Sequence, residues 1–91
     1  MDVRLICKIS SGQFSGEFAV RGVMSNAKGF SLFAPKEYLD FDEGPVKKGK
    51  TVQGSIKVTK LQEKDDLVLV ALPQPTFENG QTITVKASQV K

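Results

Sequence analysis

Six short runs rich in apolar side chains lie along this chain of 91 residues, and apolar and polar side chains alternate in five of them. In the first run, positions 3, 5, 7 and 9 are apolar, Arg4 and Lys8 lie between them, and only Ile6 breaks the alternation. A period of two places the apolar side chains of a strand on one face. The pattern therefore predicts strands at residues 3–9, 17–24, 30–34, 52–58, 67–72 and 82–87.

Turn signals separate these runs. Residues 25–29 are small or polar, and Asn79 and Gly80 form a strong turn dipeptide. The longest interruption spans residues 35–50, where Pro35 suits the first position of a helix and Glu37 is favoured near a helix N-terminus. We predict a short helical turn around residues 35–42.

Residues 67–72 are apolar at every position, unlike the other runs. Such a strand is either buried on both faces or presents one apolar row to a partner. Pro73 and Pro75 follow it, and proline interrupts strand pairing, so we expect the strand to end at Leu72. We predict that this is the central strand.

Six short strands with frequent turns predict an all-β fold, because a single open sheet would leave its apolar face in water. We expect one domain, residues 1–91, folded as a small six-stranded antiparallel barrel or a two-sheet roll. The insert between the third and fourth strands resembles, in its position, the helix of an OB-fold. An SH3-like barrel is the alternative.

The composition disfavours catalysis and only weakly favours an anionic partner. Thirteen Lys and Arg against ten Asp and Glu give a net charge of +3, which permits a polyanion to bind. The chain contains no histidine, the side chain most used for proton transfer near neutral pH and as a metal ligand. We expect a binding protein and not an enzyme, with no cofactor and no metal.

The single cysteine and the lack of long apolar runs bear on the compartment. Cys7 has no partner for an internal disulfide, so nothing indicates folding in an oxidising compartment. No apolar run approaches the roughly 20 residues of a membrane span, and the first residues do not resemble a secretory signal. We expect a cytoplasmic protein that does not bind membranes.

Two short motifs resemble functional loops without completing them. Asp40, Asp42 and Glu43 form a fragment of a cation-binding loop, which we interpret as a solvated acidic loop because further oxygen ligands do not follow. Gly49 and Lys50 partly match a phosphate-binding loop, but a strand and not a helix is predicted after them. Neither motif supports a site.

The leading hypothesis for function is association with a protein partner or with a second copy. Aromatic residues in and near the two long loops would share the loop end of the barrel, and aromatic side chains are enriched in protein interfaces. The candidate partner-binding residues are Phe33, Tyr38, Phe41 and Phe77. The structural alternative is that these rings cap the open end of the core. Residues 67–72 would extend the interface if one apolar row faces outward.

The alternative hypothesis is nucleic-acid binding, to single-stranded DNA or RNA, through a basic strand face. Outward positions of the predicted strands carry more basic than acidic side chains, and phosphate backbones bind such surfaces in a salt-dependent way. The candidate residues are Arg4, Lys8, Arg21, Lys57 and Lys86, extended by Lys47, Lys48 and Lys50. Two observations oppose this hypothesis. Strand lysines also keep sheet edges soluble, and no aromatic residue for base stacking is predicted in the middle of this face.

Overall fold

The described part of the computed structural model comprises residues 2–12, 16–41, 49–78 and 80–91, and it is all-β as predicted. Its strands are β1 (Asp2–Ser11), β2 (Glu17–Val23), β3 (Gly29–Pro35), β4 (Leu39–Asp40), β5 (Thr51–Lys64), β6 (Leu67–Thr76) and β7 (Gly80–Lys86). Two 3₁₀ turns, Lys36–Tyr38 and Ala87–Gln89, are the helical segments within these ranges. No helix there is long and apolar enough to cross a membrane.

The strands form one antiparallel sheet in the order β3-β2-β1-β5-β6-β7, with β4 paired to β5. The long strand β5 serves two neighbours, because its first half pairs with β1 and its second half pairs with β6. The sheet curls into a half-barrel, which agrees with the predicted small barrel or roll. The six predicted strands are all present, and β4 is an additional strand of two residues.

Hydrogen bonds connect the two ends of the curled sheet. The Ser25 N–H donates to the Thr84 carbonyl at 2.9 Å, and the Phe77 N–H donates to the Ser31 carbonyl at 2.9 Å. The C-terminal Val90 pairs with Leu5 of β1. These contacts cover parts of edges that would otherwise expose unpaired backbone groups.

The core lies on the inner face of the curled sheet. In β1, Leu5, Cys7 and Ile9 are buried whereas Lys8 is exposed, as the alternation predicts. Phe30 is 2% exposed, and its ring lies over Gly22 of the neighbouring strand. Burying an aliphatic side chain contributes about 1.5–3 kcal/mol, so this alternation accounts for much of the stability of the fold.

The insert contains the predicted short helical turn, in the form of a 3₁₀ turn. One 3₁₀ turn, Lys36–Tyr38, is followed at once by β4, in which Leu39 lies opposite Ile56 of β5 and is buried. Residue 42, the end of the predicted turn, lies outside the described residues. Within the described residues, this 3₁₀ turn is the helical segment of the insert.

Strand β6 differs from its prediction in position and length. It lies between β5 and β7, whereas β1 and β5 occupy the middle of the strand order. It also continues through Pro73 and Pro75 to Thr76, because both prolines fall where the pairing with β7 is interrupted. Its Val70 is buried and Leu67 is 45% exposed, so β6 presents an apolar row outward.

Candidate functional site

Four basic side chains share the outer face of β1, β2 and β5. Lys8 lies directly opposite Arg21 of β2, and Arg4 lies directly opposite Lys57 of β5. All four alternate with inward-facing residues of their strands. We call Arg4, Lys8, Arg21 and Lys57 the basic face.

The register brings like charges together twice on this face. Side chains directly opposite each other in an antiparallel pair have Cβ atoms about 4.5–5.5 Å apart, and like charges there are destabilising. Lys8 and Arg21 form one such pair, and Arg4 and Lys57 form the other. The sheet therefore brings positive charges close together at a cost in stability.

Acidic side chains neutralise only part of this charge. Lys57 Nζ lies 3.5 Å from Asp2 Oδ2, and both side chains are at least half exposed. Lys8 and Arg21 form no ion pair with any residue that the structure describes. Within the same ranges, the buried Nη1 atom of Arg4 has no hydrogen-bond partner. The basic face is thus suited to accept an anion.

A groove opens where β1 and β2 separate. The two strands pair only from Lys8 and Arg21 toward their hairpin loop. Beyond that point, the 3₁₀ turn Ala87–Gln89 approaches β2, and Gln89 Nε2 donates to the Val23 carbonyl at 2.7 Å. The groove has a volume of about 580 Å³. Its lining residues are Ile6, Cys7, Lys8, Arg21, Gly22, Val23, Gln53, Ser88 and Gln89.

The chemistry of the groove is cationic and apolar. Lys8 and Arg21 supply two positive charges, and Ile6 and Val23 supply apolar surface, with Val23 51% exposed. No carboxylate is among the lining residues that the structure describes. An anion with an apolar portion matches this combination.

Cys7 lines the groove from the core side and is chemically inert there. Its side chain is buried, and burial raises the pKa of the Cys7 thiol to about 12. The thiol therefore stays protonated near neutral pH, and a protonated thiol is a poor nucleophile. Cys7 is therefore a small buried side chain of the core.

The exposed aromatic pair lies beside the basic face. The Phe33 and Phe77 ring centroids are 5.4 Å apart with an interplanar angle of 82°, and Phe77 is 68% exposed. Phe33 lies on the outer face opposite Ala19, two residues along β2 from Arg21. An aromatic surface thus adjoins the basic face, which the sequence did not predict.

A short turn holds Phe77 in this position. Ser31 donates from its backbone N–H to Glu78 Oε1 at 2.8 Å and from its hydroxyl to Glu78 Oε2 at 2.7 Å. These two hydrogen bonds, the hydroxyl first, lower the pKa of Glu78 below its ordinary value. Ser31 lies opposite Arg21, so the carboxylate of Glu78 lies near one end of the basic face.

The other two candidate aromatic residues lie elsewhere. Phe41 packs against Phe18 with centroids 5.7 Å apart, and both rings contact the core. Tyr38 is also partly buried against the core and lines a second groove with Val58 and Pro73. The four predicted partner-binding residues therefore do not form one patch. Phe41 and Tyr38 match the alternative in which the rings cap the core.

Two of the remaining basic candidates, Lys86 and Lys50, are not part of the basic face. Lys86 is on the exposed side of β7 opposite Leu67, and Lys50 is exposed just before β5. Lys47 and Lys48 lie outside the described residues.

Sequence reasoning did not identify the groove. Two features of the sequence relate to the groove, but neither is specific to a binding site. Ile6 breaks the alternation of its strand, and Val23 is an apolar side chain at an outward position. Ser88 and Gln89 carry no signal, because the return of the C-terminal segment to β1 depends on tertiary contacts.

Neither a metal-binding cluster in the described part of the chain nor similarity to a known protein assigns a function to this surface. The described residues contain no group of three or more side chains that could hold a metal ion. Comparisons of the chain with protein-family models, with curated proteins and with solved structures found no match.

Proposed function

We propose that this protein is a nucleic-acid-binding module whose basic face holds the phosphate backbone. The observation that carries the proposal is the pairing of Lys8 with Arg21 and of Arg4 with Lys57 on one outer surface. A phosphate group placed between two such cations relieves their repulsion, and releasing the counterions of the nucleic acid adds favourable free energy.

The dimensions of the basic face suit a short stretch of backbone. Arg4 and Lys8 are four residues apart on one strand, or about 13 Å at 3.3 Å per residue. That length corresponds to the axial rise of about four nucleotides of one strand in a duplex. The face therefore has room for several phosphate contacts.

The neighbouring aromatic pair supports the proposal. Phe33 and Phe77 lie next to the row that contains Arg21, and Phe77 is the most exposed large apolar side chain among the described residues. Stacking of a base on an exposed ring contributes about 1–3 kcal/mol in single-strand binders. Charge and stacking surface are thus adjacent on this molecule.

Fluorescence anisotropy with labelled mixed-sequence DNA and RNA tests the proposal at two salt concentrations, about 50 mM and about 200 mM. If each of the four cations of the basic face contacts one phosphate of a single strand, the slope of log K against log salt is about −3. The double variant Lys8→Glu/Arg21→Glu should abolish binding. The control Lys28→Glu/Lys64→Glu changes the net charge equally at exposed lysines outside the basic face, and it should retain most of the affinity. Equal losses in both variants, or no binding at low salt, would reject the proposal.

A second candidate function is association of two copies through the outer side of β6. Leu67 is 45% exposed at the end of the outward row of β6, and the row continues through the partly buried Leu69. Light scattering should then give a dimer that Leu67→Lys converts to a monomer. A wild-type chain that is monomeric at high concentration removes this candidate.

A further inference from the structure

We infer that the groove between β1 and β2 takes one unstacked nucleotide, with the base on Ile6 and Val23 and the adjacent phosphate between Lys8 and Arg21. This inference rests on the proposed function and narrows it, because it makes single-stranded nucleic acid the preferred ligand. The size of the groove is compatible, since about 580 Å³ lies within the range of about 300–1,000 Å³ of small-ligand sites.

The two strands present the same order of side chains toward the groove. Ile6 comes two residues before Lys8 on β1, and Val23 comes two residues after Arg21 on β2. Because the strands are antiparallel, both steps lead in the same direction, toward the end where the strands separate. Two residues of a strand span about 7 Å. Over that distance the groove changes from cationic to apolar, as a nucleotide changes from phosphate to base.

Polar groups beside the apolar surface are available to a base edge. Ser88 and Gln53 are exposed lining residues, and neither side chain has a partner within the described ranges. Gln89 is engaged, because its Oε1 accepts from the Lys86 N–H at 2.8 Å and its Nε2 donates to the Val23 carbonyl. The 3₁₀ turn therefore forms a fixed wall, and Ser88 and Gln53 supply hydrogen-bonding groups.

The geometry of the groove implies a preference for single-stranded over duplex nucleic acid. A base within a duplex is stacked and paired, so its faces and its Watson–Crick edge are not accessible to a groove of this kind. A base of a single strand is accessible at little cost. The basic face alone would bind both forms, whereas the groove adds affinity only for the single strand.

The test compares a single-stranded oligonucleotide with a hairpin duplex of the same composition, using the full chain. Val23→Ser removes apolar surface from the groove and should weaken single-strand binding about fivefold while leaving duplex binding unchanged. Leu61→Ser is the matched control, because Leu61 is also 51% exposed but lies outside the groove, and it should change neither affinity.

Chemical-shift mapping with two small probes completes the test. Adenosine monophosphate should shift the backbone amides of Ile6 and Val23, and inorganic phosphate at the same concentration should shift only those of Lys8 and Arg21. Identical shifts from both probes would reduce the groove to an anion site and overturn the inference.

The outcomes separate the two proposals. Equal affinities for duplex and single strand, unchanged in Val23→Ser, would overturn the groove inference and leave the proposed function standing. Failure of both polymers to bind would reject the proposed function. The nucleotide site would then stand only if adenosine monophosphate still produced the expected shifts.

Discussion

Replacing Gly54 with alanine places a methyl group where the chain leaves no space. An ideal Cβ at this position lies 2.5 Å from the Asp40 carbonyl oxygen, 2.7 Å from Ile9 Cδ1 and 3.0 Å from Phe41 Cβ. The closest of these atoms belongs to the backbone of β4, so no change of rotamer relieves the contact. The glycine is thus required by the close approach of β4 to β5.

The expected magnitude is the sum of two opposing effects. Alanine reduces the freedom of the unfolded chain and would stabilise the fold by about 0.4–1 kcal/mol at an unhindered site. Overpacking a filled space costs about 1–3 kcal/mol. We therefore expect Gly54→Ala to lower the free energy of unfolding by about 1–2 kcal/mol. At about 4–8 °C per kcal/mol for a domain of this size, the Tm should fall by about 5–15 °C.

Thermal unfolding followed by circular dichroism, with urea unfolding as a second measure, tests this expectation. Gly29→Ala is the matched control, because the Cβ at this strand position meets only the Gly22 carbonyl oxygen at 3.7 Å, an ordinary contact. The control should be neutral or stabilised by up to about 1 kcal/mol. If Gly54→Ala were as stable as Gly29→Ala, the packing of β4 against β5 described above would be wrong.

Three further predictions concern single groups. The Cys7 thiol, with its pKa raised to about 12, should not react with a disulfide reagent at pH 8 until the chain is unfolded, and rapid reaction of the folded chain would contradict its burial. The folded-state pKa of Glu78 lies below its ordinary value of 4.5, so its contribution to stability is present above pH 4.5 and is lost as the pH falls through the folded-state value. The Tm of Ser31→Ala should therefore fall less than that of the wild type when the pH is lowered below 4.5. If the plots of Tm against pH for the two proteins were parallel, the hydrogen bond from Ser31 to Glu78 would not contribute to the loss of stability in acid. Lys8→Gln removes a like-charge pair with Arg21 and should raise the Tm slightly at low salt, whereas an unchanged or lower Tm would argue against repulsion between these side chains.

Alternation predicted five of the six expected strands because each of them has one buried and one solvated face, whereas the run at residues 67–72 is apolar throughout. In β1 and β5 this pattern runs over many residues, and the structure follows it. β4 was not predicted, because two residues are too few to show a period and their pairing depends on Gly54. The continuation of β6 past Pro73 was missed for a related reason, since a local interruption of pairing tolerates a proline.

The period of two also predicted which basic side chains face outward, but it contains no information about register. That Lys8 lies opposite Arg21 depends on the β1–β2 pairing, which a single sequence does not specify. The contact of Phe33 with Phe77 depends on the docking of a distant turn through Ser31 and Glu78. Contacts of this kind connect elements far apart in the chain, so they are visible only in the folded protein.

The like-charge pair of Lys8 with Arg21 and the groove occur at the same place in the sheet. Lys8 and Arg21 form the last cross-strand pair before β1 and β2 separate, so their repulsion falls at the point where the sheet opens. At the other like-charge pair, Arg4 with Lys57, an ion pair of Lys57 with Asp2 offsets part of the repulsion. Like-charge repulsion between paired residues lowers stability, and such departures from the rules of stable packing are expected at functional sites. An anion at this point would offset the repulsion between Lys8 and Arg21, and the fold would then gain stability on binding by an amount set by the anion concentration relative to its Kd.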